Sequence, residues 1–104
     1  MKKNTSSLTD IRKVAEQGDS TAQYKLGYCY DYGAGVGKNA VEAVKWYRSA
    51  AEKGNAAAQN NLAEMYRNGR GIPQNDAEAV KWYSKAAEQG DSFAQFRLEK
   101  MKDK

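Results

Sequence analysis

The chain has 104 residues, 40% of them apolar, with one Pro, one Cys and no His, which suits one domain of packed helices rather than a disulfide scaffold or a disordered tract. Cys29 has no second cysteine to pair with, and the lack of His excludes His-based triads, Cys–His pairs and zinc sites by inventory. A net charge of +4 is spread among interleaved Asp and Glu as on solvated helix faces, and its densest run is Lys100, Lys102 and Lys104 at the tail, so nucleic acid ranks last among candidate partners.

Met1-Lys2-Lys3 is followed by Asn4-Thr5-Ser6-Ser7 and no apolar run, so neither a leader nor a transmembrane segment is read. The expected location is cytoplasmic, or periplasmic or secreted where a leader has been removed. Residues 1–5 read as a disordered tail. The first predicted helix spans 6–17 and aligns Leu8, Ile11 and Val14. Gly18 stops it, and Asp19 caps a second helix over 19–32 whose core side is Ala22, Leu26, Cys29 and Tyr30.

Gly33 ends that helix. The loop Gly33-Ala-Gly-Val-Gly-Lys38 lacks the glycine spacing, the hydroxyl after Lys and the preceding strand of a phosphate loop, so it reads as a tight connection. Asn39 opens a helix over 39–53, and Glu42 three residues on has the spacing to reach back to the cap amide. Ala43, Val44, Trp46, Tyr47, Ala50 and Ala51 fill half its circumference, a broad arc that suits burial against two neighbours. The pattern then repeats. Gly54 and Asn55 start a helix over 55–68 with Ala58, Leu62, Met65 and Tyr66 inside, Asn75 and Glu78 start one over 75–89, and Gly90 and Asp91 start one over 91–102. Cys29 stands where Met65 stands, which makes it a buried small hydrophobe rather than a nucleophile.

Glu42-Ala-Val-Lys-Trp-Tyr47 recurs as Glu78-Ala-Val-Lys-Trp-Tyr83, and residues 15–50 match 51–86 at seventeen of thirty-six positions without a gap. The chain divides into a half-unit (6–17), two repeats (18–53 and 54–89) and a second half-unit (90–104). A period of this length marks a solenoid, whose units bury their apolar faces only against one another. Leu26, Tyr30, Trp46, Tyr47, Leu62, Tyr66, Trp82 and Tyr83 are therefore scaffold. Asp31, Glu64 and Asp76 do not recur as a pocket, so nothing supports a paired-carboxylate enzyme.

The residues Gly18…Ala22…Leu26-Gly27…Tyr30…Gly33-x-Gly35, then Ala43-x-x-Trp46-Tyr47-x-x-Ala50-Ala51-Glu52-x-Gly54, closely resemble the Sel-one-like repeat family, relatives of the tetratricopeptide repeat. The second unit carries the same pattern, with Ala63 for the family's Gly. The resemblance implies an all-α, right-handed α/α solenoid that works as a non-enzymatic adaptor for proteins or peptides, mostly in bacteria, with no shared catalytic residues, no cofactor and no metal. Bacterial relatives suggest one version, an immunity or inhibitory protein that occludes a toxin.

Positions that build a solenoid repeat, whereas positions that read a partner need not. The non-repeating residues of the first helix of each unit fall in one stripe, which the resemblance places on the concave wall. Tyr24, Lys25, Tyr28 and Tyr32 from the first unit, Asn60, Asn61 and Glu64 from the second, and Phe96 and Arg97 from the last form the candidate partner groove. The alternative is structural, with Tyr24 and Tyr28 packed on the first half-unit and Phe93 and Phe96 on the chain end. A monomer is expected. The competing class is a self-assembling repeat protein joined through partly covered Leu98 and Met101.

Overall fold

The structure, a computed structural model, describes residues 7–102. It contains six helices in chain order: α1 (Leu8–Glu16), α2 (Ser20–Tyr32), α3 (Ala40–Glu52), α4 (Ala56–Asn68), α5 (Asp76–Glu88) and α6 (Ser92–Lys102). No strand occurs among the described residues. The expected disordered tail at 1–5 and the basic end at Lys104 lie outside them. Each helix packs chiefly on its chain neighbours, so the molecule grows in one direction. Its extents are 53 × 26 × 19 Å and its radius of gyration is 14.1 Å, above the roughly 13 Å of a compact domain this size. The chain is an all-α helical repeat solenoid.

The boundaries follow from capping. Asp19, Asn39, Asn55 and Asn75 have extended backbone, and their side-chain oxygens accept from the amides of Ala22, Glu42, Ala58 and Glu78. Gly33 and Gly69 end α2 and α4 with φ of 73° and 66°, left-handed values that a side chain disfavours. One expectation fails here. The amides of Asn39 and Asn75 donate to the carbonyls of Tyr30 and Tyr66, so Glu42 and Glu78 have no cap amide to satisfy and lie beside Lys45 and Lys81 instead.

Between the helices, the repeated residues bury the inter-unit surface. Leu26, Tyr47, Leu62 and Tyr83 are wholly inaccessible, and Tyr66 is buried. Three bonds recur with the period: the carboxamides of Gln23, Gln59 and Gln95 donate to the carbonyls of Ala15, Ala51 and Ala87, tying each first helix to the end of the helix before it. The Arg12 and Arg48 guanidiniums donate to the Tyr30 and Tyr66 hydroxyls at 2.5 and 2.6 Å and lie over the same rings. Gly27 is where α2 meets the Tyr47 ring, since a Cβ there would stand 2.7 Å from Cδ1.

Equivalent positions are not equally covered. Trp82 is buried but Trp46 is only half-buried: the Lys81 and Lys85 ammoniums stand 5.6 and 5.9 Å from the Trp82 centroid, and Ser49 occupies the place of Lys85 beside Trp46. Cys29 is likewise half-buried rather than buried. Arg70 caps the Met65 sulfur at 3.3 Å, and its counterpart beside Cys29 is the short Ala34. Tyr30 is also half-buried, whereas Tyr66 is not.

Trp82→Ala should therefore cost about 3–5 kcal/mol in urea denaturation, and Trp46→Ala distinctly less. Equal losses would contradict this difference in cover.

Candidate partner-binding face

The first helices of the units, α2, α4 and α6, share one face. Arg97 of α6 donates to Glu64 of α4 at 3.1 Å, and residues of α2 and α4 together line a cavity of about 110 Å³. Asp31, Tyr32, Asn61, Glu64, Asn68 and Arg70 surround that cavity. Its polarity has a cause in the core. Tyr47 and Tyr83 come from the opposite helices, α3 and α5, and run their hydroxyls through to this face. The Tyr47 hydroxyl donates to Asp31 Oδ2 at 3.0 Å and the Tyr83 hydroxyl donates to Glu64.

Each carboxylate in turn holds a guanidinium. Asp31 pairs with Arg70, 39 residues away. Glu64 pairs with Arg97 and, at 3.5 Å, with Arg67. Burial alone would raise the Glu64 carboxyl, but the Tyr83 hydroxyl and the charges of Arg97 and Arg67 outweigh it and hold it below the usual range. Burial first, then Asp31, pushes the Tyr47 phenol up, and burial with Glu64 does the same for Tyr83. Both phenols therefore stay protonated as donors.

Of the stripe residues, Tyr28 and Tyr32 are 45% and 59% exposed, their ring centroids 4.5 Å apart. Lys25 and Phe96 are exposed too, with the Lys100 ammonium 5.6 Å from the Phe96 centroid. Asn61 and Glu64 are half-buried at the cavity, and Arg97 is half-buried against Glu64. Tyr24 turns inward, its ring 6.0 Å from that of Tyr47, and Asn60 is buried. The structural alternative thus describes Tyr24, though its neighbour is Tyr47 rather than the first half-unit, and it does not describe Tyr28. Phe93 is exposed beneath the Arg97 guanidinium. Sequence reasoning missed Asp31, Arg67 and Arg70. Only their side-chain chemistry marked them, because none recurs with the period.

Among the described residues no three Cys, Asp or Glu side chains are grouped to hold a metal, and no helix is long and apolar enough to cross a membrane. The Sel1 repeat family model matches residues 20–55 and 56–91. The chain belongs to the Sel1 repeat family. Proteins of this family are in general protein-interaction scaffolds and typically non-catalytic. Among solved structures, a Sel1 repeat protein from Oxalobacter formigenes is 47% identical with a TM-score of 0.83, over 88% of this chain and 37% of that one. The uropathogenic Escherichia coli protein c5321, a protective antigen with the same repeat fold, is 38% identical with a TM-score of 0.89, over 90% and 20%. Helicobacter pylori cysteine rich protein B is 25% identical with a TM-score of 0.83, over 88% and 68%. The chain thus spans about a third and a fifth of the first two proteins. Comparison with curated protein sequences gives no match.

The depressed Glu64 carboxyl makes a prediction about pH. The unfolded chain takes up this proton at higher pH than the Sel1 fold does, so its stabilisation is present above the ordinary Glu range near 4.3 and is lost as pH falls through the lower folded value. The urea midpoint should fall as pH is lowered from about 5 to about 3, and less steeply in Glu64→Gln. Identical slopes would place the acid sensitivity elsewhere.

Proposed function

We propose that this chain is a non-enzymatic scaffold that holds a protein or peptide partner along the concave α2–α4–α6 face. The observation that carries the reading is the Tyr28–Tyr32 pair. In a molecule whose repeated tyrosines Tyr47 and Tyr83 are wholly buried, these two non-repeating rings lie side by side in solvent. Rigid aromatic surface of this kind suits an interface centre, because it covers area at little rotamer cost. The half-buried polar cavity beside it supplies directional partners.

A second reading, self-assembly, draws on the α5–α6 end. Val80 is 40% exposed where its counterpart Val44 is 6%, and Val80, Leu98 and Met101 line an open groove there. Yet Glu99 and Lys102 occupy the places of buried Ala63 and Tyr66 and pair with each other at 3.6 Å. Charges at two positions that the inter-unit contact buries make this end a polar cap, and we favour the monomer. Light scattering over a concentration series should give a constant monomer mass. Mass rising with concentration would favour assembly.

Tyr28→Ser/Tyr32→Ser should keep the helical circular dichroism and lie within about 0.5 kcal/mol of wild-type stability, while losing partners captured from the native host. Unfolding would assign the pair to packing, and undiminished capture would remove it from the interface.

A further inference from the structure

The face just described is electrically biased. Its cations are Arg67, Arg70, Arg97 and Lys100, and its carboxylates are Asp31 and Glu64, four against two, an excess of two. The contrast with the outer helices is the informative part. Within α3 and α5, four basic residues stand against five acidic ones, so the positive bias of this face is not shared by those two helices.

Both carboxylates are also committed internally. Asp31, with only 5% of its side chain exposed, accepts from Tyr47 and Arg70, and Glu64 accepts from Tyr83, Arg67 and Arg97. Arg70 is far less hidden than the carboxylate it pairs with. Arg70 keeps 47% of its side chain in solvent while its buried anchor fixes its position, which presents a preorganised guanidinium at the mouth of the cavity beside the Asn61 and Asn68 amides. On either side are apolar platforms, Tyr28 with Tyr32 and Phe96.

We infer that this face takes an acidic, extended peptide segment of the partner, with carboxylates at Arg70 and Arg97 and apolar side chains on the Tyr28, Tyr32 and Phe96 rings. The inference rests on the scaffold reading and adds the partner's chemistry to it. Charge complementarity selects the occupant. Nucleic acid fits less well, because an excess of two falls short of the roughly six to ten phosphate contacts of a tight binder, and the committed carboxylates interrupt the cation row.

The test is selection of a random phage-displayed dodecapeptide library on the full chain, followed by fluorescence anisotropy of the enriched peptides. The expected peptides are rich in Asp and Glu. Replacing these with Asn and Gln should weaken binding at least about tenfold, and added salt should weaken it further. Lys100→Gln, an exposed change that leaves the core untouched, should weaken acidic peptides and spare their neutral versions. Enriched peptides without excess acid, but still dependent on Tyr28 and Tyr32, would overturn the acidic specificity and leave the binding face standing. Acidic peptides that bind Tyr28→Ser/Tyr32→Ser as well as wild type would overturn the face itself. Displacement of the peptide by an equal concentration of oligothymidine would overturn the choice of a peptide over nucleic acid.

Discussion

Tyr47 and Tyr83 fill the contact between units, yet each carries a hydroxyl that burial would leave without water. An unpaired buried hydroxyl costs about 1–3 kcal/mol. Asp31 and Glu64 resolve this by each accepting a hydrogen bond from one phenol, and a carboxylate at that depth needs its own compensation, which Arg70 and Arg97 provide. The relay therefore runs from core phenol to carboxylate, buried at Asp31 and half-buried at Glu64, and on to a more exposed guanidinium at Arg70 and a half-buried one at Arg97. What the α2–α4–α6 face exposes is set by what the core has to satisfy.

The same reasoning explains why the ends differ from the middle. The Arg–Tyr bond forms at Arg12–Tyr30 and Arg48–Tyr66, and the next pair in the period would be Ser84 and Lys102, which cannot make it. The Gln95 carboxamide still ties α6 back to Ala87. Thus α6 keeps the bond that joins it to the preceding helix and replaces apolar neighbours with charge on its far side. Stability in such a chain is a sum over neighbours, so loss at one junction is not recovered elsewhere.

Period and capping were legible in the sequence because both are local. Gly-Asp and Gly-Asn pairs, Asn39, Asn75 and the recurring Trp-Tyr located all six helices and the buried Leu26, Leu62, Tyr47 and Tyr83. The acceptors were not legible, for a geometric reason. The Tyr47 acceptor lies sixteen residues upstream and that of Tyr83 nineteen, a shift of about one helical turn, so comparing units sets Asp31 against Arg67 and Glu64 against Tyr28. The Asp31–Arg70 pair crosses units and has no repeat to betray it. Coverage was illegible too where it hung on a neighbour's length, as with Ser49 for Lys85 over the indoles. By contrast, the Gln23, Gln59 and Gln95 tie is strictly periodic, and its three copies were open to reading.

The relay from core to face is most directly tested by a double-mutant cycle in urea, combining Tyr83→Phe with Arg97→Gln. If the phenol, Glu64 and the guanidinium act as one unit, the two losses should be non-additive by about 1 kcal/mol. Additivity within about 0.3 kcal/mol would mean that core and face are independent, and the account would fail at its centre.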